Sequence, residues 1–334
     1  MRAACVGIVA ALLVASYVAP AGAVTDPVDA APAPAARAPA APEIARDVAK
    51  LDCTRVSATE VANVLGHAPA PRIVLLQGSI AFVTMEPFAR FLIAMGYPEQ
   101  RLRDPRDGAL TRASFIDAAA LAGELAYEYE QSAEEPMLIG HSQGGAVVIR
   151  VLHELAGTFH ETLAVVDPAT GMPLARTRIV DPYTRESRPV VGVHVSFAAA
   201  LATGWLARVL LGQWTILPHL RTIPDSVTEF TGFDLPNDPI AGNLLGISPY
   251  VAAGTARVRN VILPPEYSHV RLPLVDHLSN DPALRAWIDA WYPGSQAALP
   301  AGDTENIVHA ADLWYSVKRH WCAQAQRLLE LPGS

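Results

Sequence analysis

An apolar run at residues 137–139 stops at Gly140-His141-Ser142-Gln143-Gly144 and gives way at once to helical spacing over 146–155. A short run with no polar interruption predicts a strand buried on both faces, and apolar positions recurring every three or four residues predict a helix with one face in the core. The same alternation stands upstream. Residues 72–77 predict a strand, and residues 86–95 a helix that ends at Gly96-Tyr97-Pro98. Residues 113–130 predict a second helix that buries Phe115, Ile116, Ala119, Leu121, Leu125 and Tyr129. Strand, helix, strand, helix in this order predicts a parallel sheet with right-handed crossovers.

Downstream, 163–175 predicts a hairpin-like excursion about Thr170-Gly171, and 189–196, 226–230 and 256–263 predict three more strands. Asp281-Pro282 opens a helix through residue 291, with aspartate as N-cap and proline in the first turn, and a last helix covers 307–331. Residues 197–220 are apolar, carry Trp205 and Trp214 and few charges, and predict a helical segment that is either core or a cap over a site, reaching about 197–225. The class is α/β: a mostly parallel central sheet flanked by helices, in one domain over 51–334, without internal repeats.

Composition narrows this further. Half of the 334 residues are apolar (51%), enough for a sizeable core, and the net charge of −8 with no basic cluster argues against a nucleic-acid partner. Arg2 precedes an uncharged apolar run over 3–18, and Ala21-Gly22-Ala23 supplies a small-residue cleavage site. No stop-transfer charges follow, so 1–23 reads as a signal peptide, the mature protein is expected to be secreted or periplasmic, and no stable membrane span is expected after cleavage. Residues 24–50 are Ala/Pro-rich and read as a flexible linker. Removing the signal, and Cys5 with it, leaves Cys53 and Cys322, most simply one disulfide in an oxidising compartment.

The chemistry centres on the turn. Strand, sharp turn with a central serine, then helix is the context of a nucleophile elbow. Ser142 needs a strained backbone to lift its hydroxyl, Gly140 and Gly144 avoid a collision on either side of it, and Gly145 lets the helix start close to the strand. A serine hydroxyl needs an imidazole to take its proton and a carboxylate to orient that imidazole. With Ser142 as nucleophile, the order Ser, Asp, His selects among later residues. His67 lies upstream, His141 is inside the turn and points away, and His153 and His160 follow too closely. The loop after the 226–230 strand offers Asp238, preferred for its Asp-Pro-Ile setting, or Asp234. The loop after 256–263 offers His269, with His277 further on. The oxyanion would be held by the backbone N–H groups of Gln143 and Ser79, and no metal or organic cofactor is called for.

These residues resemble the α/β-hydrolase superfamily on its lipase and esterase side. The match rests on Val74-Leu75-Leu76-Gln77-Gly78, the stretch 88–98, Leu138-Ile139-Gly140-His141-Ser142-Gln143-Gly144-Gly145, Asp238-Pro239-Ile240 and Ser268-His269, in order over about 73–291. Gln77 departs from the usual histidine before glycine. The resemblance implies an α/β-hydrolase fold and a serine hydrolase acting on a small-molecule or lipid-like ester. The same machinery would serve acyl transfer or cleavage of polyesters, and a non-catalytic binding module is the reading from outside enzymology.

Overall fold

The computed structural model describes residues 41–331 apart from 211, 244 and 245, so the expected signal peptide (1–23) and most of the Ala/Pro-rich stretch lie outside the described residues. Along the chain come α1 (Pro42–Val48), α2 (Ala58–Asn63), β1 (Ile73–Leu76), α3 (Glu86–Met95), α4 (Ala118–Ser132), β2 (Met137–His141) and α5 (Gln143–Leu155). A small antiparallel hairpin, β3 (Arg178–Val180) and β4 (Ser187–Pro189), precedes β5 (Val195–Leu201) and α6 (Leu206–Leu210). Then follow β6 (Thr222–Ile223), β7 (Val227–Asp234), β8 (Val251–Ala252), β9 (Arg257–Ile262), α7 (Pro282–Ala290) and α8 (Ile307–Leu328). The central sheet has five strands in the order β1-β2-β5-β7-β9, each neighbouring pair parallel.

The two-residue period of a strand explains how three layers form. Ile73 and Leu75 of β1, Met137 and Ile139 of β2, and Phe197, Ala199 and Leu201 of β5 join a core with Phe88 and Phe91 of α3 and Trp314 and Trp321 of α8. Val74, Leu76, Leu138, Ala198 and Ala200 point the other way, onto Leu121 and Leu125 of α4 and Val148 and Leu152 of α5. With helices on both faces β1 is wholly apolar and β2 nearly so, which is why they read as uninterrupted runs, whereas the edge strand β9 carries Arg257, Arg259 and Asn260. Among the described residues, no helix is long and apolar enough to cross a membrane.

Several elements differ from their sequence expectation. The strand expected at 189–196 and the helix expected from 197 give way to β5 at Val195–Leu201. Ala198-Ala199-Ala200 favours helix intrinsically, but here it lies between β2 and β7 with no exposure, and burial on both faces overrides propensity. The helical insertion expected over 197–225 therefore shrinks to α6 and a 3-10 turn at Trp214–His219. Helix α4 starts at Ala118 because Asp117 caps it, its side chain accepting from the Ala119 N–H at 2.9 Å, and Phe115, expected inside, is 63% exposed. Strand β7 runs on to Asp234, past the expected end at residue 230. At the other end, α1 lies within the stretch read as linker (24–50), its Val48 packed into the core.

Cys53 and Cys322 are bonded across 269 residues, tying the segment before α2 to the buried interior of α8. Opening so long a loop releases chain entropy in the unfolded state, so Cys53→Ser with Cys322→Ser is expected to cost about 2–5 kcal/mol of unfolding free energy. Urea denaturation under non-reducing conditions measures it; an unchanged midpoint would show the bond to be without thermodynamic weight.

Candidate active site

Strand β2 ends at His141 and α5 begins at Gln143, so Ser142 alone turns the chain, at φ 53° and ψ −115°. A non-glycine residue there stores about 1–3 kcal/mol and persists only where its surroundings hold it. The Ser142 N–H donates to the Leu201 carbonyl at 2.8 Å, and Thr203 Oγ1 donates to the Ser142 carbonyl at 3.0 Å. Both flanking glycines are required by close approach: a Cβ on Gly140 would lie 2.4 Å from the Gly144 carbonyl, and one on Gly144 would lie 2.1 Å from Leu76 O.

The loop after β7 turns at Asn237, whose φ is 57°, and presents Asp238. One oxygen of this buried carboxylate accepts the N–H groups of Ile240 (2.9 Å) and Ala241 (3.1 Å); the other accepts Nδ1–H of His269 at 2.6 Å. Burial works to raise the Asp238 carboxyl, but the His269 bond and charge and the two N–H groups outweigh it and hold it below its ordinary value. With Nδ1 committed as donor, the neutral imidazole carries its lone pair on Nε2, which is buried and has no hydrogen-bond partner.

His141, read from the sequence as pointing away, does the opposite. Its Nε2–H donates to the His269 carbonyl at 2.8 Å, and the two rings lie 5.0 Å apart. The residue before Ser142 thus clamps the loop that carries His269, which holds the Asp238–His269 pair beside the turn at Ser142. Burial above all pushes the His141 imidazole down to about 3, so it stays neutral and its ring geometry is independent of pH near neutrality.

The alternates go elsewhere. Asp234 is the last residue of β7 and is forked by Arg221, whose Nη1 lies 3.1 and 3.0 Å from its two oxygens, with Nη2 at 3.2 Å. It is half of a buried structural ion pair. His277 is half-buried on a 3-10 turn, with Nε2 3.8 Å from Asp303. Gly78 faces Ser142, since a Cβ there would lie 3.3 Å from Ser142 Cβ, which puts Ser79 beside that turn. As the first residue of α5, Gln143 has no intrahelical acceptor for its N–H, and neither that N–H nor that of Ser79 has an acceptor among the described residues. Among the described residues, no group of three or more His, Cys, Asp or Glu could hold a metal ion.

Three histidines are buried neutral: burial lowers His141 to about 3, His309 to about 4 and His320 to about 3. Unfolded, each takes a proton near pH 6.5. Between these limits the unfolded chain binds more protons, so their contribution to stability is complete above the unfolded value and is lost as pH falls through the folded ones. The slope is at most about 1.4 kcal/mol per pH unit for each histidine. Urea midpoints are expected to fall between pH 7.5 and 5, before most carboxylates titrate; a flat profile would mean that these rings are protonated in the folded protein.

Comparison of the chain with models of protein families, with curated proteins and with solved structures finds no match.

Proposed function

We propose that the chain is a secreted serine hydrolase of the α/β-hydrolase type that cleaves carboxylic esters. The observation that carries this is the 2.6 Å contact between Asp238 and His269 Nδ1, which leaves Nε2 free to accept a proton beside a serine held at φ 53°. Ser142 Oγ attacks the ester carbonyl and passes its proton to His269 Nε2. The tetrahedral oxyanion rests on the N–H groups of Gln143 and Ser79. Its collapse breaks the C–O bond, and the alcohol leaves with the proton from His269. Water then gives a proton to His269 and attacks the acyl group, and serine recovers that proton as the acid departs. Asp238 remains ionised throughout and stabilises the imidazolium.

Neighbouring apolar side chains suit a hydrophobic portion of the substrate. Trp205, Leu210 and Trp214, on and around α6, are 50%, 76% and 60% exposed, and Gln213 in the same segment accepts from the Gln143 side chain at 3.2 Å. That contact supports reading the segment as a small cap over the first turn of α5. The Cys53–Cys322 bond suits an oxidising compartment. A fluorophosphonate probe should label the wild type and not Ser142→Ala; equal labelling of the two would end the proposal.

A further inference from the structure

Ester cleavage as described gives no task to Arg208 in α6. Its side chain is buried, at 1% exposure, and among the described residues no carboxylate lies within ion-pair distance of it. Nη1 donates to Gln213 Oε1 at 2.7 Å, whereas Nε is buried without a partner. The same Gln213 oxygen accepts Nε2 of Gln143, and Gln143 Oε1 is itself buried and unpaired. The guanidinium therefore sits one shared acceptor away from the residue that follows the nucleophile. Burial pulls it down to about 10, and it is still cationic at neutral pH.

Other arginines with little exposure in this protein have carboxylates to meet. Arg112 contacts Asp104 at 2.7 Å and Glu124 at 2.5 Å, Arg221 forks Asp234, and Arg259 contacts Asp312 at 2.6 Å. A buried, uncompensated cation is expensive to keep, and a planar guanidinium offers donors in pairs that match two oxygens of one anion. We infer that Arg208 receives an anionic group of the substrate, so that the ester cleaved at Ser142 carries a carboxylate or phosphate a few atoms from its scissile carbonyl. The inference rests on ester cleavage by Ser142. A neutral ester covering the site would leave the guanidinium desolvated and unpaired; an anionic one pairs it, with the attraction strengthened by the low dielectric there.

The test compares 4-nitrophenyl pentanoate with the 4-nitrophenyl monoester of glutaric acid, which differ in a terminal methyl against a carboxylate. The wild type is expected to favour the anionic ester at least 10-fold in kcat/KM, and both Arg208→Gln and Arg208→Met should lower that ratio at least 10-fold. A wild-type preference for the neutral ester, or a ratio that both variants keep, would overturn the inference. Competition by free glutarate identifies a carboxylate and competition by inorganic phosphate identifies a phosphate; competition by neither, or competition that survives Arg208→Gln, counts against it. Should neither ester turn over and the probe not label Ser142, ester cleavage is what has failed. Arg208 is then judged by melting temperature: glutarate or phosphate should stabilise Ser142→Ala but not Ser142→Ala with Arg208→Gln, and equal effects on both would exclude an anion site.

Discussion

Turnover of 4-nitrophenyl esters is expected to fall roughly 10⁴-fold or more in Ser142→Ala, with the circular dichroism spectrum and the urea midpoint unchanged. The hydroxyl is the only group removed, and the elbow is held through the backbone of Ser142: its N–H donates to the Leu201 carbonyl and its carbonyl accepts from Thr203 Oγ1. Neither depends on Oγ. The residual rate would be that of substrate bound beside the N–H groups of Gln143 and Ser79, without an acyl-enzyme. A steady-state assay with purified variant decides it, and activity within 10-fold of wild type would remove Ser142 from the chemistry.

Asp238→Asn and Asp234→Asn should part company. An asparagine at 238 can donate to Nδ1 of His269, which moves the ring proton to Nε2 and leaves no lone pair for the serine proton. A loss of about 10³–10⁴ in kcat with little change in KM is expected from a tautomer error of this kind. Asparagine at 234 instead removes the charge that faces Arg221 and strands a buried cation, at a cost of about 3–5 kcal/mol in stability, while kcat of the folded protein should stay within 10-fold. Denaturation midpoints and kcat measured on both variants separate the roles. Full activity in Asp238→Asn, with kcat abolished in a stable Asp234→Asn, would exchange them.

The parts legible in the sequence are those whose cause is local. Asp281 caps α7 by accepting the Ala283 N–H at 2.7 Å, with Pro282 behind it, and Gly96 closes α3 at φ 113°. Both signals lie within a few residues of the feature they determine. Residues 197–201 failed for the complementary reason. An alanine-rich run carries no period that separates helix from strand, and what decides is the presence of β2 on one side and β7 on the other. His141 was misjudged because strand alternation says which face a side chain leaves from, but not that the loop bearing His269 folds back over it.

The sequence alone determined the elbow. A turn that raises Ser142 between a buried strand and a helix needs small residues at 140 and 144, and those requirements act between neighbours on the chain. It also narrowed the acid and the base to two residues each. Only the tertiary structure shows which of these residues meet: Arg221 sits on Asp234, His277 lies half-buried beside Asp303, and Asp238 joins His269 across 31 residues. The same holds for Arg208, whose lack of a carboxylate partner among the described residues exists only once the chain is folded. Backbone demands of a single turn are written in consecutive residues, whereas the pairing of charges depends on which loops the sheet order brings together.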